Sequence, residues 1–289
     1  MAARADVEDA VSRACEAAVH YLEDPLRSAV HYALTGGGKR LRGMLVLASY
    51  RAAGGAGDAS GLAAAVEMIH AYSLVHDDLP CMDDDDMRRG RPSTHRAYGV
   101  RIATAAGAVL IPLAAHTAYR AACLLRLPAD ACCTIVKVLM QGAGGGGMIG
   151  GQLLDLEGEG RDLSRVDLDA IHAAKTGALI ASAVRIGGVA ASVSETSLDA
   201  LDSYGNSIGL AFQIMDDVLD VTASTDQLGK IAGRDVALGK STYPALLGVE
   251  GAIEIANGLI DEACDDLRAQ NLLSSDLEGL ARFIASRSH

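Results

Sequence analysis

Residues 201–220 read LDSYGNSIGLAFQIMDDVLD, with apolar positions at Leu201, Tyr204, Ile208, Ala211, Met215 and Val218. Steps alternating between three and four residues put one side of an α-helix against a core. Val66, Ile69, His70, Ser73 and Asp77 keep the same rhythm on another segment, while runs of strict alternation bounded by hairpin turns are absent. Breaks near Gly36–Gly38, Gly54–Gly57, Pro80–Pro92, Leu127–Pro128, Gly158–Gly160 and Ser224–Gly239 separate about a dozen helical stretches. None is long or polar enough to divide two domains. The expectation is an all-α chain folded as a single domain over residues 1–289.

The composition agrees. Half of the 289 residues are hydrophobic but only 3% are aromatic, so Ala, Leu, Val and Ile must supply the core. The 25 Lys and Arg against 37 Asp and Glu give a net charge of −12, which excludes nucleic acid and anionic membrane as partner classes. Six cysteines without a CxxC pair read as reduced thiols of a cytoplasmic protein, and no signal peptide opens the sequence. Ile102 to Tyr119 carries no acid, Lys or Arg, which invites a membrane reading. Its Pro112, His116, two Thr and many Ala make it weakly hydrophobic, so a buried core helix and no integral membrane segment are expected.

Thr134–Gln141 looks like a β-branched strand, and Gly142-Ala-Gly144-Gly-Gly-Gly147 satisfies GxGxxG. A dinucleotide fingerprint needs a βαβ unit around it, and Met148–Asp155 supplies no second strand. The glycines are read instead as allowing close approach to a helix or ligand.

The chemistry concentrates in two acidic clusters. Asp77-Asp78-Leu-Pro-Cys-Met-Asp83-Asp84-Asp85-Asp86 holds six carboxylates in ten residues. It follows an apolar helix that Pro80 should end, so the acids sit at the negative end of the helix dipole. Asp216-Asp217-Val-Leu-Asp220 sets Asp216 and Asp220 four apart on one helix face, with Gln213 one turn earlier. Such charge runs are ordinarily solvated faces. Two of them on apolar helices point instead to a divalent cation. Oxygen-only donors point to magnesium, which completes its shell with water and substrate phosphate.

Cations are few and lie near these features. Gly37-Gly38-Lys39-Arg40-Leu41-Arg42 is read as opening a helix with Lys39 and Arg42 on one face, where backbone N–H groups can approach an anion. Arg88-Arg89-Gly90 follows the first cluster, and Lys175, Lys230 and Lys240 complete a set suited to a polyanion.

In this order, GGKRLR (37–42), HAYSLVHDDLPCMDDDDMRRG (70–90), GGQ (150–152), KTGAL (175–179), FQIMDDVLD (212–220) and GKSTYP (239–244) closely resemble the trans-isoprenyl diphosphate synthases, the short-chain polyprenyl synthetases. The resemblance implies helices around a central substrate cavity. Asp77, Asp78 and Asp83 would face Asp216, Asp217 and Asp220 there and hold Mg2+ on an allylic diphosphate. It implies that Arg88, Lys175, Lys230, Lys240 and Gln213 contact the allylic substrate, with Thr176 and Gln213 stabilising the carbocation. Lys39, Arg42, His70 and Arg89 would bind isopentenyl diphosphate, with Phe212 against its hydrocarbon. Tyr72 and Ser73, one turn before Asp77, would set chain length. Bulk at Tyr72 favours the C15 product, farnesyl diphosphate, over geranylgeranyl diphosphate. A homodimer through apolar helices such as Ile102–Leu125 is implied as well.

The chain departs from the family pattern at Tyr98-Gly99-Val100, at Ala108 where an aspartate is usual, and at Pro112, which should kink its helix. Ala108 is the one feature favouring a weakly active or non-catalytic synthase subunit. A class I terpene cyclase shares the first cluster, but has no use for a second diphosphate site at Lys39, Arg42 and His70.

Overall fold

The computed structural model describes residues 2–222 and 240–286. Among them the chain is helical apart from one short hairpin, so the all-α expectation holds. Two compact units are present, one of residues 1–47 and 55–140, the other of residues 48–54 and 141–289.

The first unit carries α1 (Ala2–Val19), α2 (Leu26–Leu34), the start of α3 (Leu41–Ala52), α4 (Ser60–Asp77), α5 (Thr94–Tyr98), α6 (Val100–Leu124) and most of α7 (Ala129–Ala143). α4 is buried nearly all round, as an apolar sequence demands, and packs against α1 and α6. Two glycines permit the α4–α6 approach. A Cβ on Gly61 would stand 2.8 Å from that of Ala121, and one on Gly107 would collide with the His76 ring. The strand-like stretch 134–141 lies in α7, and the glycines after it form the turn into the next helix.

α6 corrects the expectation of a buried core helix. Ala103, Ala106, Leu110, Ala114 and Ala118 face the core, while Val100, Ala108, Pro112 and Tyr119 are exposed. The helix is long and apolar enough to cross a membrane by length and composition, with 33% of its most apolar window buried. Helix continues through Pro112, whose ring lies on the exposed side.

A hairpin also appears where none was expected. β1 (Met87–Arg88) pairs antiparallel with β2 (Arg91–Pro92). Its two-residue turn places Arg89 (φ 53°) and Gly90 (φ 76°) in the left-handed region, as a type I′ turn requires. The signal in the sequence was the Arg-Gly pair alone.

In the second unit, α8 (Met148–Gly158), α9 (Arg165–His172), a π-helical turn (Ala173–Gly177), α10 (Ala178–Ala190), α11 (Glu195–Thr222), α12 (Tyr243–Ala269) and α13 (Ser275–Ser286) follow one another. α11 buries all six apolar positions of the 201–218 stripe and packs on α10 and α12. A Cβ on Gly209 would stand 2.6 Å from Gly177 Cα, so the π turn and α11 meet backbone to backbone.

Candidate active site

In the first unit the site grows from the acidic loop. α4 ends at Asp77, as Pro80 requires. The chain then winds about the Leu79 carbonyl, which accepts from the amides of Met82 (2.9 Å) and Asp84 (3.1 Å), while the Asp83 amide donates to the Asp77 carbonyl at 2.8 Å. Leu79 packs with Val75, Ala103 and Met82 and so anchors the loop to the core.

Asp78 is held by a protein partner. It is 2% exposed, and its carboxylate accepts from Arg88 Nε at 2.9 Å and from Arg88 Nη2. Arg88 Nη2 also reaches Asp85 at 3.2 Å. Burial works against the Arg88 charge, but the hydrogen bond and charge of Asp78, with Asp85, outweigh it and hold the pKa above its ordinary value. Asp78 was expected on metal and Arg88 on substrate. The structure pairs them with each other, both guanidinium nitrogens meeting one Asp78 oxygen, because a buried carboxylate needs a charged hydrogen-bond partner.

Arg89, in the turn itself, takes a different partner from Arg88. Arg89 Nη1 donates to the Gly37 carbonyl, and a Cβ on Gly38 would stand 2.7 Å from that nitrogen. Here the glycines admit an arginine side chain. α3 begins at Leu41, so Lys39 and Arg42 do not share a helix face as expected. Between them Arg40 adopts φ 54°, is 4% exposed, and donates to Glu8 (2.9 Å), Glu67 (3.5 Å) and the Leu34 carbonyl (3.0 Å). Arg40 therefore belongs to the scaffold. Glu67, an acid inside an apolar helix, was the overlooked signal for it.

His70 is half-buried on α4. Burial first, then the charges of Arg42, Arg89, Arg40 and Arg88, hold its pKa well below the ordinary value, so the imidazole is neutral. Three residues expected to act together, His70, Arg42 and Arg89, are thus within one another's electrostatic reach. An open cleft of about 450 Å³ is lined by Arg40, His70, Arg88, Arg89 and Arg91. Tyr72 is buried and meets the His76 ring edge-on at 5.0 Å, and Ser73 Oγ donates to the His70 carbonyl at 2.9 Å.

In the second unit the site is built on α9, the π turn and α11. Ser164 caps α9 and Asp167 returns the bond, which fixes the start of a helix that ends at His172. The π turn then presents Lys175 and Thr176, and π bulges commonly re-aim side chains at functional sites. On α11, Asp217 is rotated about 100° from Asp216. It is 3% exposed and accepts from Gln213 Nε2 (3.3 Å) and the Tyr243 amide (3.1 Å), with His172 Nε2 at 3.2 Å. Asp217, expected on metal, is here braced by protein groups. Thr176 Oγ1 donates to Gln213 Oε1 at 2.9 Å, which brings together the two residues expected beside the carbocation.

Lys175 and Lys240 also converge, through a residue that motif reading passed over. Both ammonium groups meet the same oxygen of Asp155, at 2.6 and 2.8 Å, and Lys240 reaches Glu159 at 3.4 Å. Burial pushes the Asp155 pKa up, but the two lysines outweigh it and hold the carboxyl below its ordinary value. Asp155, three residues after Gln152, was legible only as one more helical acid. A cleft of about 500 Å³ is lined by Asp155, His172, Lys175, Gln213, Asp217 and Lys240. Phe212 is half-buried on α11, and Lys230 lies outside the described residues.

Residues 23–270 match the polyprenyl synthetase family. The chain is 45% identical over 269 residues to farnesyl diphosphate synthase of Escherichia coli, covering 91% of this chain and 90% of that protein. It is 40% identical over 285 residues to the chloroplastic geranylgeranyl pyrophosphate synthase 9 of Arabidopsis thaliana, covering 96% and 79%. Geranylgeranyl pyrophosphate synthetase of Pyrococcus horikoshii superposes with a TM-score of 0.84 at 30% identity over 98% of each chain. Geranyltransferase of Helicobacter pylori, complexed with magnesium and isoprenyl diphosphate, does so with 0.78 at 28% identity over 96% and 94%. The chain belongs to the polyprenyl synthetase family, among its short-chain trans-prenyl diphosphate synthases.

Proposed function

We propose that this protein condenses isopentenyl diphosphate with dimethylallyl and geranyl diphosphates to give farnesyl diphosphate. The observation that carries the reading is that each unit holds its own cation-lined cleft beside an aspartate cluster, one for each diphosphate substrate. Arg42, Arg89 and neutral His70, with Lys39, take isopentenyl diphosphate. Lys175, Lys240 and Gln213 serve the allylic diphosphate, together with Lys230 and both aspartate clusters.

The four donors assigned to the metal, Asp77, Asp83, Asp216 and Asp220, are all carboxylates, which fits magnesium. When bound, magnesium supplies Lewis-acid stabilisation of charge on the departing diphosphate. The chain's own residues do the rest. Asp155 holds the two lysines in place until a diphosphate competes for them. Thr176 and Gln213 fix each other, so their oxygens face the developing allylic cation without reorganising. No protein base is assigned, and the proton goes to released diphosphate.

Buried Tyr72 supports the C15 product, since an overlong tail meets a close-packed wall. Tyr72→Ala should lengthen the products made from geranyl and farnesyl diphosphate starters, read by chromatography. An unchanged distribution refutes Tyr72 as the determinant. Geranylgeranyl diphosphate is the second reading, favoured by the similarity to synthases of that name. The departures at Val100, Ala108 and Pro112 all lie on the exposed side of α6, which speaks against a non-catalytic subunit. That exposed apolar face supports a homodimer, and the six thiols support a reducing, cytoplasmic setting.

A further inference from the structure

Among the described residues, one set of three ligand-type groups gathers its donor atoms within 4.8 Å of one another: Asp84, Asp86 and His95. Asp84 and Asp86 belong to the acidic cluster read as pointing to a cation, but none of the three was singled out as a ligand. Asp84 lies at the turn of the acidic loop, its amide tied to the Leu79 carbonyl. Asp86 precedes the hairpin, and its carbonyl accepts from the Ser93 amide at 2.9 Å. His95 sits in α5 and is 5% exposed.

Two features separate this cluster from a solvated acidic face. The His95 ring is buried, yet it forms a hydrogen bond with neither carboxylate. Its Nδ1 meets Ser93 Oγ at 3.0 Å, and Nε2 has no hydrogen-bond partner among the described residues. A polar group that fixes one ring nitrogen leaves the other available to coordinate. The spacing leaves room for one shared ion: the donor atoms lie within 4.8 Å of one another, and donors about 2.0–2.2 Å from a common ion stand roughly 3–4 Å apart. Asp86 additionally pairs with Arg96 at 3.1 Å, an exposed contact of little strength that offsets part of the local negative charge.

We propose that Asp84, Asp86 and His95 form a divalent cation site separate from the carboxylates assigned to the diphosphate. One imidazole and two carboxylates suit zinc, cobalt or nickel better than magnesium, which prefers oxygen alone. An ion there ties the acidic loop to α5. Because Asp83 is the neighbour of Asp84, the tie fixes the backbone from which a diphosphate-directed carboxylate projects.

The test uses the full chain, stripped of metal and then kept in millimolar magnesium so that the oxygen-only positions are filled. Cobalt is titrated by visible absorption, zinc by calorimetry, and thermal unfolding is followed with and without zinc. One tight equivalent without thiolate charge-transfer bands is expected, together with a zinc-dependent rise in Tm. Asp84→Asn and His95→Gln should each weaken that equivalent roughly tenfold or more. Asp84 is exposed, so its variant keeps the test valid even where replacing buried His95 disturbs folding. The proposal is overturned by a lack of any equivalent beyond magnesium, by thiolate bands, or by an equivalent that Asp84→Asn leaves intact.

Discussion

After α4, Asp78 turns inward onto Arg88, whereas in α11 Asp217 turns inward onto Gln213, His172 and the Tyr243 amide. Both belong to adjacent aspartate pairs, and in each pair the second member is 2–3% exposed while the first is more accessible. The means differ. In α11 the helix itself separates the pair, because neighbours are about 100° apart and cannot share a face. In the loop the separation needs a hairpin, ten residues on, to deliver a guanidinium. In each Asp-Asp dipeptide the second carboxylate is thus built into the scaffold, while the first stays more accessible.

The largest expected effect breaks or keeps that division. Asp77→Ala and Asp216→Ala should lower turnover by about 10²–10³-fold or more, with thermal unfolding close to that of the parent. Asp78→Asn and Asp217→Asn should act first on stability, by about 2–3 kcal/mol, because each leaves buried partners without their charge. Calorimetry beside turnover decides the matter. If all four substitutions reduce turnover alike and leave Tm unchanged, the comparison fails. It is sharpened by replacing Asp78 and Arg88 together with Leu and Met, which should recover part of the stability lost by Asp78→Asn.

A second contrast concerns the two cation-lined clefts. Arg42→Ala or Arg89→Ala should raise KM for isopentenyl diphosphate about 10–100-fold, the loss of one charged hydrogen bond, with little change for the allylic substrate. Lys175→Ala should lower kcat instead. Steady-state kinetics with each substrate varied in turn would expose a wrong assignment as equal effects on both.

The smallest effect is one of pH. The folded-state pKa of Asp155 lies below its ordinary value, so its ion pairs contribute fully above about pH 4. That contribution is lost as pH falls through the lower folded value. Asp155→Asn should therefore flatten part of the acid limb of Tm against pH, modestly, since the pairs are partly solvated. An acid limb of unchanged slope argues against the shift.

Much of this was legible in one dimension. The three-and-four spacing of 201–218 fixes which side of α11 is buried, because helix geometry maps residue spacing onto direction. Pro80 fixes the end of α4, residue chemistry marks Lys175 and the aspartates as candidates, and the family resemblance adds His70. Spacing is silent on partners from other elements. Asp155 meets Lys240, 85 residues away, and Arg40 meets Glu8 and Glu67. The breadth of the buried stripe on α6 is set by which helices lie beside it. The Arg89-Gly90 hairpin is too short for a period to register. So the sequence by itself determined the helices, their buried faces and the types of group available for chemistry. Which aspartate of each pair is buried, and which groups from other elements compensate it, was decided by tertiary structure. Burying a charge costs several kcal/mol unless a partner stands within about 3 Å, and only packing brings distant elements that close.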